Sequence, residues 1–120
     1  MERDSFLFEN LDVYKKSLEF VKAAYQAVKK FPQEERFALS DQFRRASISV
    51  PLNIAESQGG SALQTKRYLN IAKGSIRECI AIISLSKMQK YITIEEENLL
   101  REQCAELSRM LSGLIKYNNK

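Results

Sequence analysis

The sequence has no histidine and, in 120 residues, only four glycines, two prolines and two cysteines. The absence of histidine removes the commonest general base and the commonest metal ligand in proteins. Because glycine and proline are scarce, the chain has little of the turn chemistry that many short strands need, and its composition favours helices. Cys79 and Cys104 have no metal-ligand spacing. We expect them to be reduced and buried, with a redox switch as the alternative.

No apolar run approaches the roughly 20 residues needed to span a bilayer, so we expect no membrane partner. The first five residues carry mixed charge and open no hydrophobic signal-peptide region, which predicts a cytoplasmic protein. Hydrophobic residues make up 44% of the chain and charged residues 28%, proportions typical of a globular protein rather than a disordered one. The length then predicts one domain over residues 1–120.

Apolar residues in the first third of the chain recur at spacings of three and four, which predicts a helix over residues 10–30. Its predicted core-facing stripe is Leu11, Tyr14, Leu18, Val21, Tyr25 and Val28. Pro32 ends this helix and suits the first position of a second one, over residues 32–57. We expect Pro51 to kink the second helix rather than end it. The apolar face of that helix comprises Phe37, Leu39, Phe43, Ala46, Val50 and Ile54.

Two capping boxes predict the starts of two further helices. Ser61 with Gln64 opens a third helix over residues 61–90, and Thr93 with Glu96 opens a fourth. Their apolar stripes are Leu69, Ala72, Ile76, Cys79, Ile80 and Ile83 in the third helix, and Leu100, Cys104, Leu107, Leu111 and Leu114 in the fourth. Four helices joined by short connections predict an all-α, antiparallel up-and-down four-helix bundle. In such a bundle Cys79 and Cys104 lie at one level.

The third predicted helix contains a stretch, residues 79–85, that is apolar nearly all round. A helix of this kind is either central in its domain or covered by a second molecule. No helix is central in a four-helix bundle, so the stretch predicts a subunit contact and a homo-oligomer. The residues expected in that contact are Ile80, Ile82, Ile83 and Leu85.

The sequence carries no recognisable signal for catalysis. Gln58-Gly59-Gly60-Ser61 lacks the lysine and the spacing of a phosphate-binding P-loop, and a di-iron bundle site would need histidine. No serine, cysteine or lysine has a recognisable activating partner. We therefore expect a protein that is not an enzyme, with no catalytic residue, no metal site and no cofactor.

Basic residues are concentrated on the first and third helices. Five lysines against two acidic residues give +3 over residues 10–30, and six basic residues against one acidic residue give +5 over residues 61–90. Helical spacing places Lys15, Lys22 and Lys29 on one face of the first helix, and Lys66, Asn70, Lys73 and Arg77 on one face of the third. Such rows suit a phosphate backbone, whose neutralisation releases counterions. The alternative is an ordinary solvated helix surface, since neither row has the aromatic residues on which bases stack.

Polar and apolar residues alternate through the expected kink, over residues 44–56. The polar residues of interest are Arg44, Arg45, Asn53 and Glu56, with Glu78 on the third helix. A buried charge needs a partner, and Glu56 or Glu78 could serve Arg45. We favour a structural network that also satisfies the carbonyl freed by Pro51, and the alternative is a binding site for a polar ligand.

Four segments carry a resemblance to one protein family. They are FENLDVY (8–14), FRRASISVPLNIAES (43–57), RYLNIAKGSIRE (67–78) and ELSRMLSGLI (106–115). In this order, and over nearly the whole chain, they resemble the bacterial four-helix-bundle proteins called 23S rRNA-intervening sequence proteins, sometimes mislabelled ribosomal protein S23. The most specific block is the arginine pair followed by Val-Pro-x-Asn-Ile-Ala-Glu, which Arg44, Arg45, Asn53 and Glu56 match.

The resemblance implies a four-helix bundle and, because the family is associated with homopentamers, a pentamer; the family's role is mostly unestablished. A related group, the accessory proteins of diversity-generating retroelements, forms pentameric rings whose basic surfaces bind nucleic acid and a reverse transcriptase. This chain departs from the family at one place. The family usually continues Asn-Ile-Ala-Glu-Gly and a basic residue, whereas Ser57-Gln58-Gly59-Gly60 stands here. If that basic residue helps to hold phosphate, nucleic-acid binding is weaker in this chain.

The expected function is therefore that of a homo-oligomeric, pentameric binding or scaffold protein. We expect it to contact RNA or DNA non-specifically and with strong salt dependence, through the basic faces of the first and third helices. The alternative is a protein-binding adaptor that makes no nucleic-acid contact and whose partner sits on the ring. A small-ligand pocket near Pro51 and Asn53 is a third alternative.

Overall fold

The computed structural model describes residues 4–118. Within this range the chain forms four α-helices: α1 (Asp12–Val28), α2 (Leu39–Ser57), α3 (Ala62–Met88) and α4 (Ile94–Tyr117). Two short 3-10 helices, Leu7–Asn10 and Gln33–Glu35, precede α1 and α2. No strand occurs between residues 4 and 118, and the prediction of an all-α fold is confirmed.

The four helices form a closed ring of neighbours. Each helix packs against the next one along the chain, and α4 packs against α1. Over the described residues α1 does not contact α3, and α2 does not contact α4, so these two pairs are diagonal. Consecutive helices are antiparallel because only residues 58–61 and 89–93 connect the last three. The predicted four-helix bundle is thus confirmed.

Both predicted capping boxes are present. At the start of α3 the Gln64 amide N–H donates to Ser61 Oγ at 3.3 Å, and the Ser61 amide N–H donates to Gln64 Oε1 at 3.0 Å. At the start of α4 the same exchange joins Thr93 and Glu96, at 3.1 and 2.8 Å. Each box satisfies two backbone donors that the first helical turn leaves without partners. The sequence signals for these two helix starts were therefore correct.

Helix α2 starts later than predicted. Pro32 leads into the 3-10 helix, and Ala38 adopts φ −120° and ψ −103°, so the α-helix begins at Leu39 rather than at residue 32. Phe37 consequently lies in the connection with 85% of its surface exposed, and its expected place in the core was wrong. The helix does continue through Pro51 to Ser57, as predicted. Phe43, Ala46, Val50 and Ile54 form its buried face.

The structure places a different stripe of α1 in the core from the one expected. The buried residues are Val13, Ser17, Phe20, Ala24 and Ala27, whereas Leu18 is 46% and Tyr25 38% exposed. The two stripes have the same spacing and lie next to each other on the helix. Small side chains let the helix axis approach the core, while the larger ones of the expected stripe, such as Tyr14 and Val28, pack at its edge.

The core lies between the four helices and includes both cysteines. Phe20 meets Phe43 edge-on, with ring centroids 6.4 Å apart. Cys79 and Cys104 are fully buried, free thiols. Burial raises the pKa of Cys104 to about 12 and the pKa of Cys79 further still, and the Cys104 thiol adds to the shift at Cys79. The two thiols therefore lie near one another between α3 and α4, as small core residues.

The side-chain arrangement and the hydropathy of the helices bear on metals and membranes. No group of three or more Cys, Asp or Glu side chains between residues 4 and 118 is arranged to hold a metal ion. No helix in the same range is both long enough and apolar enough to cross a membrane.

Candidate nucleic-acid interface

A row of lysines runs along the outer face of α1. Lys15, Lys22 and Lys29 are all exposed and follow one another at seven-residue steps, or ~10.5 Å per step. Seven residues are nearly two helical turns, so the three ammonium groups stand on the side opposite the buried stripe. The ion pairs formed among residues 4–118 use other cations, so none of these three lysines is held in an ion pair with a described carboxylate. We call it the α1 lysine row.

A second set, Lys66, Lys73 and Arg77, forms what we call the α3 basic row. Lys66 and Arg77 are exposed, while Lys73 is half-buried and donates from Nζ to Ser112 Oγ of α4 at 2.7 Å. The contact places this row on the side of α3 that adjoins α4. Asn70, between the cations, donates from Nδ2 to the Lys66 carbonyl at 3.0 Å. One of the three cations and the amide are thus already engaged within the chain.

The two rows lie on different sides of the molecule, since the α1 lysine row faces outward and the α3 basic row lies beside α4. α1 and α3 are diagonal in the bundle, so their outward faces point away from each other. The rows therefore do not form one continuous basic surface on a given chain. The sequence located the cations on exposed helix faces but did not determine how those faces are arranged in space.

The arginine pair on α2 makes different contacts from those expected. Arg45 is exposed, and its Nε donates to Asp41 Oδ2 at 2.8 Å within the same helix. Arg44 donates from Nη2 to the Arg36 carbonyl at 3.2 Å. Glu56 and Glu78 are exposed and do not pair with Arg45, so the expectation of a buried charge network was wrong. The i, i+4 spacing of Asp41 and Arg45 was the available signal.

A polar network does exist beside Pro51, but its members are neutral. Asn53 Nδ2 donates to the Ser49 carbonyl at 2.8 Å and to Ser49 Oγ at 3.0 Å. Ser49 Oγ in turn shares a hydrogen bond of 2.7 Å with Ser75 Oγ of α3. The amide thus binds the Ser49 carbonyl, not the Ser47 carbonyl that Pro51 leaves without a donor. The network joins α2 to α3 and engages the Nδ2 group of Asn53 within the chain.

The apolar stretch of α3 lies mainly inside the chain. Ile82 and Ile83 are 3% and 0% exposed, and Ile80 packs half-buried against the core. These side chains are covered by α2 and α4, the two helices that pack on either side of α3, so no second molecule is needed to bury them. Of the four residues expected at a subunit contact, Leu85 is the one with a large exposed surface, at 45%.

Other large apolar side chains are exposed on the surface shared by α2 and α3. Leu52 is 59% and Ile71 40% exposed. The Ser49–Ser75 bond places these two serines at one level of the antiparallel helices α2 and α3. Leu52, three residues after Ser49, and Ile71, four residues before Ser75, therefore also lie at about one level. Large exposed apolar side chains are available for contact with another protein surface.

Comparison with known proteins identifies relatives of the whole bundle. Residues 9–113 match the family model for 23S rRNA-intervening sequence proteins. A crystal structure of a protein of unknown function from the S23 ribosomal protein family of Bacteroides thetaiotaomicron is similar, with a TM-score of 0.80 and 30% sequence identity. The match covers 87% of this chain and 95% of the Bacteroides chain. None of the curated proteins matches the sequence significantly.

Proposed function

We propose that this chain, which belongs to the 23S rRNA-intervening sequence protein family, works as a homo-oligomeric scaffold that binds RNA or DNA non-specifically. Binding takes place through the α1 lysine row and the α3 basic row, and the protein performs no catalysis. These are the two basic helix faces that the sequence predicts, at the positions that their side chains occupy in the bundle.

The observation that carries the proposal is the free state of the α1 lysine row. Its three ammonium groups are exposed, are spread over ~21 Å of helix, and have no carboxylate partner among residues 4–118. A phosphate backbone gains from such cations because each contact releases condensed counterions. A lysine in an ion pair must lose its carboxylate before it can bind a phosphate. A lysine without an ion pair has no such contact to lose, so it binds phosphate more strongly.

The separation of the two rows supports the oligomeric part of the proposal. One chain offers a nucleic-acid segment only a single short row, whose affinity is low at physiological salt. Several copies side by side extend the row and raise the affinity by multivalency without any new kind of contact. The exposed Leu52, Ile71 and Leu85 supply apolar surface for the contact between copies. The pentamer associated with the family has a mass of about 69 kDa, five times 13.8 kDa.

The experiment is retardation of a structured RNA at two salt concentrations. At ~50 mM salt we expect retardation, and at ~200 mM salt we expect it to weaken by an order of magnitude or more. Absence of retardation at the lower salt would overturn the proposal. A protein that is oligomeric and binds no RNA or DNA would instead be the protein-binding adaptor considered above.

A further inference from the structure

A groove of about 510 Å³ separates α1 from α4. Its floor is apolar and comes from Ala23 and Ala27 of α1 with Leu100 and Leu107 of α4. The two alanines leave this space open because their side chains are single methyl groups. Larger side chains at these positions would fill the groove. Leu99, which also lines the groove, has 64% of its surface exposed and leaves apolar area without cover.

An ion pair spans each end of the groove. Lys16 Nζ lies 2.8 Å from Glu106 Oε1, and Lys30 pairs with Glu96. About half of each lysine side chain is exposed, and exposed ion pairs are weak, so a ligand can separate them. Between Lys16 and the end of α1 at Val28 the helix rises ~18 Å, and Lys30 lies just beyond that end, so the groove is about as long as a helix of roughly 12 to 14 residues. The groove therefore has the length and the walls to hold one short helix.

The charge of the groove differs from that of the protein. Four carboxylates, those of Glu19, Glu96, Glu102 and Glu106, line it against the two lysines, whereas the chain as a whole carries +4. Glu19 and Glu102 form no ion pair with any residue between 4 and 118. An apolar floor under an excess of carboxylates complements one kind of helix, which is apolar on one side and basic along its edges.

We infer that the groove between α1 and α4 is a docking site for a basic amphipathic helix of another protein. The helix lays its apolar face on Ala23, Leu99 and Leu107, and its lysines or arginines face Glu19 and Glu102. This site lies away from the α2/α3 surface and from the outer face of α1, so a docked helix leaves both the contact between copies and the α1 lysine row free. The inference does not depend on nucleic-acid binding.

The test measures anisotropy of a fluorescent amphipathic peptide of about 14 residues, made of leucine and lysine, added to the full chain. We expect saturable binding that Ala23→Leu weakens by about tenfold or more, because the new side chain fills the groove. Ala62→Leu, at the exposed start of α3, is the matched control and should bind as the parent protein does. Equal affinities of these two variants would overturn the inference, as would equal binding of a peptide made of leucine and glutamate.

Two further measurements keep the outcome unambiguous. Glu19→Gln with Glu102→Gln changes no packing in the core, and it should reduce both the affinity for the basic peptide and the salt dependence of binding. Light scattering of Ala23→Leu tests whether a second copy fills the groove. A fall in oligomer mass for Ala23→Leu but not for Ala62→Leu would assign the groove to self-association and overturn the inference. RNA retardation by Ala23→Leu should be unchanged, so failure here is distinct from failure of the proposed function.

Discussion

The hydroxyl oxygens of Ser49 on α2 and Ser75 on α3 lie 2.7 Å apart and share a hydrogen bond across the contact between the two helices. Ser75 is 9% exposed, and its hydroxyl also donates to the Ile71 carbonyl within α3, at 3.2 Å. The pair marks the level at which the two antiparallel helices face each other. That register brings Leu52 and Ile71 to one level on the surface.

Removing either hydroxyl should weaken the bundle because the other hydroxyl loses its hydrogen-bond partner. We expect Ser49→Ala and Ser75→Ala to be coupled by about 0.5–1 kcal/mol in a double-mutant cycle of urea unfolding. Differences in helix propensity between serine and alanine cancel in such a cycle, so the coupling reports the pair alone. Strictly additive effects would show that the bond contributes nothing to the free energy of unfolding.

Lys90 ends α3 in a conformation that suits glycine better. Its φ is 66°, and the Tyr91 and Lys90 amide N–H groups donate to the Ser86 and Lys87 carbonyls, both at 2.9 Å. This is the Schellman arrangement, in which the left-handed residue is usually glycine. We expect Lys90→Gly to raise the free energy of unfolding by ~0.5–1 kcal/mol, since glycine has no Cβ to strain there. Lys87→Gly, inside the helix, is the control and should lower it by a similar amount.

The buried thiols should make the protein less stable at alkaline pH. Below the ordinary thiol pKa of 9.0 the folded and unfolded chains both keep the protons of Cys79 and Cys104. Above it the unfolded chain loses them while the folded chain, in which the pKa of each thiol is raised, keeps them. The free energy of unfolding therefore falls as pH rises, by up to about 1.4 kcal/mol per pH unit for each thiol.

The control for this effect is the variant Cys79→Ala with Cys104→Ala, which retains every lysine and tyrosine. Urea unfolding of both proteins at about pH 8 and about pH 10 isolates the thiol contribution. The parent protein should lose more stability between the two pH values than the variant does. An equal loss in both would mean that the thiols ionise in the folded chain.

The surface of Leu52 and Ile71 offers a test of self-association. In light scattering we expect the parent protein to give a multiple of 13.8 kDa, and Leu52→Glu with Ile71→Glu to shift the mass toward 13.8 kDa. Two carboxylates in a buried contact repel one another and lose their hydration. Phe37→Glu, at another exposed apolar position, is the control and should keep the parent mass. A parent protein that is monomeric would contradict the oligomeric part of the proposal.

Helix number, connections and capping could be predicted from the sequence because each has a local signal. Capping boxes at Ser61 and Thr93 predict where α3 and α4 start. The buried face of α4 follows from one strict stripe: Leu100, Cys104, Leu107 and Leu111. The core face of α1 could not be predicted in the same way. Ser17, Ala24 and Ala27 look less hydrophobic than Leu18 and Tyr25, yet close packing against α2 and α4 favours the smaller set.

The candidate site was predictable as a set of residues but not as an arrangement. Exposure of Lys15, Lys22 and Lys29 follows from their spacing, whereas the diagonal placement of α1 and α3 depends on the order in which all four helices pack. The groove between α1 and α4 had no sequence signal, since alanines such as Ala23 and Ala27 are ordinary in any helix. It becomes visible only when α4 is placed opposite them.

The proposed function rests on the cations of the α1 lysine row, and charge removal tests them. Lys22→Gln with Lys29→Gln should weaken RNA retardation and lower the slope of log affinity against log salt by about 1–2. Lys90→Gln with Lys116→Gln removes the same charge from exposed lysines elsewhere and should leave the slope near that of the parent protein. Equal effects of the two pairs would mean that net charge, and not the row, holds the nucleic acid.

Sedimentation of a fluorescently labelled structured RNA with the full-length protein measures assembly and binding together. At ~50 mM salt the RNA should sediment with an assembly whose protein mass is a multiple of 13.8 kDa, and at ~300 mM salt it should sediment alone. RNA that sediments alone at the lower salt, with the protein at concentrations where it is fully assembled, would contradict the proposal that this bundle is a nucleic-acid-binding scaffold.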